Sequence, residues 1–439
     1  MKKILLAAVA ALFIFTSCNK EGIDNPVLTG ENALLGLVIE FPAVSTKAAD
    51  ANATADEVKI TDVTIYVFNT DGSIVGAPVT KAISAFTPGT GANINTYVLN
   101  ENERLTVTAG AKHIYVGANL PSQIKSLTSE TALKTAVATT NLVTANGIAM
   151  FSGLKEQTLS AQEVNSTPTV NTAQVSIARL VAKISANAGT AANATANLGD
   201  ATVGEYEVTP DMYSVGNLAS AIFPVQQFSG TKLLTPMTNT TAIGSLISLN
   251  ANGTAANVAS KFYVPEHRPQ SNLRGEGTFI VIRGSFDFDS YATLNAAGTG
   301  VELNASTYSA GDHFWVVRTS DNSATYFCET AQDAVNVASI TANALTPAEF
   351  AGKYCFYYMF INNSDTLTPN RVTVFRNTFI HYTIGAVKGL GYPGDLNDPE
   401  NPTTEIPEPD EPIFATDAYL LVDISVTPWT YTGVTLELE

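Results

Sequence analysis

Cys18 is the first residue whose surroundings suggest covalent chemistry. Phe15-Thr16-Ser17 precede it, closing an apolar run from Ile4 to Phe15 that follows Lys2 and Lys3. A positive start, a short apolar stretch and small residues before a cysteine make a bacterial lipoprotein signal, in which that cysteine becomes the acylated first residue. Residues 1–17 are read as this signal and Cys18 as the lipidation site, carrying palmitate-like acyl chains. The second candidate is Lys47, which precedes Ala48 in a small, polar stretch. A lysine in such a loop is open to a surface protease.

The remaining candidates are weaker. No HExxH, CxxC, P-loop or GxSxG motif occurs. Gly389 to Gly394 has the letters of GxGxxG but runs into an acidic, proline-rich stretch, so no helix start stands ready for a phosphate. His113, His267, His313 and His381 are far apart, each in or beside a strand-like segment. Asp287 and Asp289 share one strand face while Phe286 and Phe288 take the other, which is the pattern of a solvated face over an aromatic core. Cys328 and Cys355 sit among aromatics and read as buried thiols, with a disulfide open as an alternative in an oxidising compartment. No catalytic residue, metal ligand or cofactor is expected, and the chain is read as a non-enzyme.

The elements around these residues are mostly strands. Of 439 residues, 45% are hydrophobic and only 14% charged, so a large core is within reach. The net charge of −17 argues against nucleic acid and anionic membranes as partners. Leu35, Leu37, Ile39 and Phe41 alternate with Gly36, Val38 and Glu40, the period of a strand with one buried face. Val58–Phe68 is a second strand, ending at Asp71-Gly72, a tight-turn pair. Residues 126–137 suggest a helix capped by Thr128, Val175–Ser185 one long strand, and 186–200 a boundary or loop. Further strands are expected at 261–264, 278–282, 313–317, 353–361, 371–374 and 379–384. Residues 391–417 hold six prolines and eight acids without a basic residue, and predict an extended, exposed segment. Alternation returns at Leu420–Val426 and again at Val434, Leu436 and Leu438.

The two ends suggest one mechanism. A cut at Lys47 would free the strand Leu35–Phe41 and leave a groove with unpaired backbone groups and empty apolar pockets. The C-terminal strand of another copy, Val434–Leu438, could fill it by strand addition. A head-to-tail contact of this kind need not close and can grow a filament.

These residues carry a resemblance. The cysteine at 18, Leu35–Phe41, Ile65–Gly72, His113–Asn119, Ile177–Ile184, Arg376-Asn377-Thr378, Lys388–Gly391 and Val422–Trp429 together, in this order, resemble the fimbrillins, or type V pilins, of Bacteroidales. The resemblance implies an all-β (mainly β) fold, with two transthyretin-like β-sandwich domains and a few short helices. It implies export as a lipoprotein held at the outer membrane, removal of the N-terminal strand at the surface, and polymerisation by donor-strand exchange into an adhesive fimbrial shaft. Implied partners are other copies of the chain, anchor and tip subunits, a processing protease and a host or bacterial surface ligand. Similar proteins are cut after arginine. Here the first arginine is Arg104, inside the fold, so processing in the usual loop must use Lys47. The expected division is a propeptide at 18–47, a first sandwich at 48–190 and a second at 191–439, with residues 418–439 as the donor region. The alternative reading is a fimbrial tip adhesin or a glycan-binding surface lipoprotein.

Overall fold

The computed structural model describes residues 31–428 except 42–53, 55, 91–94, 140–141, 163–169, 190–195, 201, 237–242, 251–259, 310–311, 322, 362–371, 405 and 414–419. Of the expected site residues, Cys18, Lys47, Ala48, Val434, Leu436 and Leu438 lie outside the described residues. No helix among the described residues is long and apolar enough to cross a membrane.

The chain is mainly β and packs as β-sandwiches. The first sandwich is built from β1 (Asn32–Glu40), β2 (Asp62–Asn69), β3 (Thr96–Leu99), β4 (Leu105–Thr108), β5 (Gly110–Ala118), β6 (Met150–Ser152) and β7 (Val170–Arg179), with shorter strands at its edges. β7 belongs to both layers. Residues 170–176 pair with β1, and Ile177–Arg179 pair with β6. A strand that switches layers forms the corner of the sandwich. At the β2 end, Gly72 adopts φ 82° and the Asp71 carboxylate accepts the Ser73 amide at 2.9 Å, so the Asp-Gly turn forms where the sequence predicts it.

The second sandwich uses β8 (Val181–Asn187), β9 (Tyr206–Gly216), β10 (Phe262–Pro265), β11 (Phe279–Phe288), β12 (Tyr354–Phe360), β13 (Thr378–Val387) and β14 (Leu420–Pro428). One layer runs β10-β8-β13-β14, and the other centres on β9-β11-β12. Ala182, Ile184, Tyr382 and Ile384 from the first layer meet Tyr213, Val215, Ile280, Ile282 and Tyr357 from the second. Cys355 lies in this core and Cys328 in a smaller cluster under the helix Ala331–Ile340. Both thiols are free and fully buried, so they do not pair, and burial pushes them up to about 11 and about 12.

Four local expectations change. The single strand expected at 175–185 is two: the buried period of Ala173, Val175 and Ile177 shifts phase at Arg179 to Leu180, Ala182 and Ile184, the chain changes partners there, and β8 pairs with β10 and β13 of the second sandwich. The helix near 130 is short, Glu130–Thr135, and Ser129 rather than Thr128 caps it by accepting the Ala132 amide at 3.1 Å. Residues 372–374 form no strand; Val374 makes an isolated bridge to His267.

The acidic, proline-rich stretch is the fourth. Up to residue 413 its described part is anchored to the fold at a few points, while Leu396–Asp398 and Glu408–Pro412 stay exposed as expected. Tyr392–Asp395 and Asp398–Pro402 form a hairpin against β12. Gly391 approaches so closely that a Cβ there would lie 2.6 Å from the Phe356 carbonyl oxygen. Ile406 and Ile413 are buried, and Glu408 pairs with Arg274. The composition misleads because the stretch needs no basic residue of its own: Arg274 and Arg318 come from elsewhere, and Arg318 donates to the Leu390 carbonyl at 2.6 Å.

His267 is 2% exposed, with Nδ1 2.7 Å from Thr278 Oγ1, and burial pushes it down to about 4. The folded state then binds fewer protons than the unfolded chain. Its contribution is complete above about pH 6.5 and is lost as pH falls from there to about 4, roughly 3 kcal/mol in all. Urea unfolding at pH 7 and pH 4.5 should show this loss, and His267→Gln should reduce it.

Candidate functional site: the N-terminal strand and its groove

β1 is an interior strand. Along β7 it runs parallel, from Leu34 opposite Val170 to Glu40 opposite Ser176. On its other edge it runs antiparallel to β4 at Asn32–Leu35 and to β3 at Val38–Glu40. Loop contacts extend the ladder: the Phe41 amide donates to Asn95 at 2.9 Å, and the Ala109 amide donates to Glu31 at 2.7 Å.

The alternating side chains then take opposite roles. Leu35, Leu37, Ile39 and Phe41 are 0%, 1%, 0% and 8% exposed, as the sequence pattern requires. They pack with Ala33 among Ile65, Val67, Leu99, Val116, Ala173 and Val175. The Phe41 ring meets Tyr97 edge-on at 4.9 Å. At ~1.5–3 kcal/mol each, four such side chains contribute roughly 6–12 kcal/mol of burial. On the outer face Glu40 accepts from the Ser176 hydroxyl at 2.6 Å and from the Gln174 amide. These bonds, Ser176's first, hold the Glu40 carboxyl below the usual range. Sequence reasoning missed this polar pin, although a glutamate inside an alternating strand was its visible sign.

A second missed cluster lies at the joint of the sandwiches. Glu57, in the segment leading to β2, is 1% exposed. Its carboxylate lies 3.2 Å from Lys183 Nζ, 3.0 Å from Lys261 Nζ and 2.6 Å from the Tyr263 hydroxyl. Its main-chain oxygen accepts from Arg179 Nε at 3.0 Å, and Arg179 also reaches Asn377 at 3.1 Å. The motif residues Arg179, Lys183 and Asn377 thus meet around one buried carboxylate. Burial alone would raise the Glu57 pKa, but Lys183, Tyr263, the Thr54 amide and Lys261 outweigh it and leave the carboxyl below its ordinary value.

The other candidates stay apart. His113 bonds Glu130 at 2.9 Å, His313 bonds Glu349 at 2.9 Å, and His381 bonds Ser185 at 2.6 Å, in separate places. Asp287 is exposed and paired with Lys353, over buried Phe286 and Phe288. A cleft of about 600 Å³ beside it includes Tyr308 and Tyr354. Cations cover these rings: Lys353 lies 4.8 Å over Tyr308 and Arg283 4.5 Å over Tyr354, which leaves a poor platform for sugar stacking. No cluster of three metal-ligating side chains occurs among the described residues.

Residues 37–185 match the family described as major fimbrial subunit protein (FimA). Residues 348–433 match the C-terminal family of the same subunits, fimbrillin. The chain belongs to the fimbrillin family of fimbrial subunits. The first matched region opens inside β1 and closes inside β8, and the second reaches past β14. Solved structures to which the chain is similar include a fimbrilin of Porphyromonas gingivalis, at 15% identity and TM-score 0.45, covering 91% of this chain and 98% of the other. A protein from Parabacteroides distasonis described as a cell adhesion protein has 14% identity and TM-score 0.48, covering 91% and 100%. The tip fimbrial protein Mfa3 of P. gingivalis has 12% identity and TM-score 0.38, covering 91% and 100%. No curated protein matches this fimbrillin in sequence. Family membership makes it a structural subunit rather than an enzyme, belonging to a fimbrium at the cell surface.

Proposed function

We propose that this fimbrillin is a shaft subunit activated by loss of β1. It is exported as a lipoprotein acylated at Cys18 and held at the outer membrane. A surface protease cuts between Lys47 and Ala48, and the propeptide, residues 18–47, leaves with β1. The C-terminal segment bearing Val434, Leu436 and Leu438 from a neighbouring copy then fills the groove, and repetition of this step builds the filament.

One observation supports the reading above the rest. β1 supplies a row of fully buried side chains and lies between two hydrogen-bonded neighbours, yet it precedes everything else in the described fold. Its departure would open a deep groove without breaking another strand's connection. A monomer with this groove empty is expected to be markedly destabilised, because unpaired backbone and bare apolar pockets both raise its free energy.

The test uses residues 19–439 with a lysine-specific protease at low dose, followed on unboiled SDS gels. The expected result is a ladder of SDS-resistant oligomers whose subunits begin at Ala48. Lys47→Gln should remain monomeric. Cleavage at Lys47 that yields only stable monomers would defeat the proposal.

A further inference from the structure

We infer that β1 leaves its groove in two steps, the half Val38–Phe41 opening before Asn32–Leu35, with Glu40 as the latch on the first step. The inference takes its purpose from the reading that β1 departs and adds an order of events to it.

The two halves have different neighbours. Along β7 the pairing runs from Leu34 to Glu40 without a break. The other edge is divided. β4 takes Asn32–Leu35 and β3 takes Val38–Glu40. No strand among the described residues pairs with Gly36 or Leu37 on that side. Gly36 also brings no side chain to the break, and a glycine inside a strand weakens it.

The first half is tied to the middle of the sandwich. β4 continues through Ala109 into β5, which lies between β2 and β6 in the other layer. Besides the bond from the Ala109 amide to Glu31, the Gln162 amide donates to the Asn32 carbonyl at 2.7 Å. Asn171 Nδ2 donates to the Leu34 carbonyl at 3.2 Å.

The second half lies nearer the margin. Its neighbour β3 is backed only by the short strand Phe86–Pro88, which ends the sheet among the described residues. Phe41 leans on Tyr97 of β3 itself, so a shift of β3 takes that contact with it. Local opening starts where few cooperative neighbours back an element. A cut at Lys47 would free the chain end on this side, while Asn32 stays joined to the residues before it. What holds this half beyond its ladder and its two buried side chains is Glu40, which accepts from Gln174 and Ser176 of β7. Both donors lie on the strand that stays, so the latch joins the departing half to the fixed wall of the groove. Opening by halves also bares fewer unpaired backbone groups at one time than departure of the whole strand.

Hydrogen exchange of residues 19–439, before and after cleavage at Lys47, tests the order. It is read by mass spectrometry with fragmentation fine enough to separate the two halves. Before cleavage, and after correction for intrinsic rates, amides of Val38–Phe41 are expected to exchange at least about 10-fold faster than the protected amides of Asn32–Leu35. Cleavage should widen the gap. Glu40→Gln should speed exchange in Val38–Phe41 roughly 5- to 30-fold and leave Asn32–Leu35 unchanged. Gln174→Ala with Ser176→Ala, which keeps Glu40 and removes its donors, should do the same. One common rate for both halves, or both halves moving together in either variant, overturns the two-step order while strand exchange stands. Rates that neither variant changes overturn the latch. Cleavage that yields only stable monomers defeats strand exchange instead, and the order of opening is then judged on the uncut protein.

Discussion

A chain lacking residues 1–47 and 434–439 is expected to melt roughly 10–20 °C below residues 19–439, and a peptide of residues 31–41 added in trans should restore most of the loss. The truncation removes the native strand and the proposed replacement together, so the groove cannot refill from within the preparation. Burial of the four large side chains contributes roughly 6–12 kcal/mol. Ladder bonds on both edges add about 0.5–1.5 kcal/mol each, and the entropy of ordering the strand offsets part of the sum. A net loss of several kcal/mol is large against the marginal stability of a domain. Ile39 is fully buried and Leu37 nearly so, so a peptide carrying Leu37→Asp and Ile39→Asp would place two unpaired carboxylates in the core and should not rescue. Calorimetry of the truncated chain with each peptide decides the matter. An unchanged melting temperature after truncation would show that β1 lies outside the cooperative core.

The strand behind that prediction is legible in the sequence. β1 announces itself because a strand with one buried face has period 2 and Leu35–Phe41 keeps it without a fault. The Asp71-Gly72 turn is legible for a similar reason, since its chemistry is local. The helix Ala331–Ile340 is not among the expected elements although its signal is present: Thr330 caps it by accepting the Asp333 amide at 3.1 Å, a spacing visible in the sequence. Other features are hidden by distance. Arg179 interrupts the apolar alternation of β7, but nothing local says which partners the chain takes up beyond it. Glu57 finds Lys183 and Tyr263 at separations of 126 and 206 residues, so a lone glutamate before an ordinary strand gives no hint of its surroundings. Residues 391–413 show the reverse error. Prolines and acids look like a solvated tether, but glycines let the backbone press onto β12 and arginines from other segments neutralise and hydrogen-bond it.

The Glu57 cluster carries the other large prediction, because its charges balance only as a set. Glu57→Gln keeps the shape and some of the hydrogen bonds but leaves Lys183, 1% exposed, without its carboxylate beside the equally buried Arg179. Losing one member of a buried ionic set costs about 3–5 kcal/mol, chiefly through the charge left behind. Adding Lys183→Met to Glu57→Gln should recover a substantial part, since it removes the stranded cation and keeps an apolar body near the Phe379 ring, which Lys183 Nζ now faces at 4.6 Å. Urea unfolding of residues 19–439 at pH 7, read as a double-mutant cycle, checks both statements. A loss below about 0.5 kcal/mol for Glu57→Gln would show that the joint relaxes or hydrates and that the cluster does not hold the sandwiches together. The pH dependence follows from the same carboxylate. Its folded pKa lies below the ordinary 4.5, so its contribution is complete above that value and fades as pH falls through the folded pKa. Glu57→Gln should flatten that part of the acid limb and leave the His267 window above it unchanged. Functionally the placement matters because Glu57 lies ten residues after Lys47. With Thr54 donating to its carboxylate at 2.7 Å, it ties the chain shortly after the proposed cleavage position to the second sandwich. β1 can then leave without loosening the joint that keeps its groove in shape.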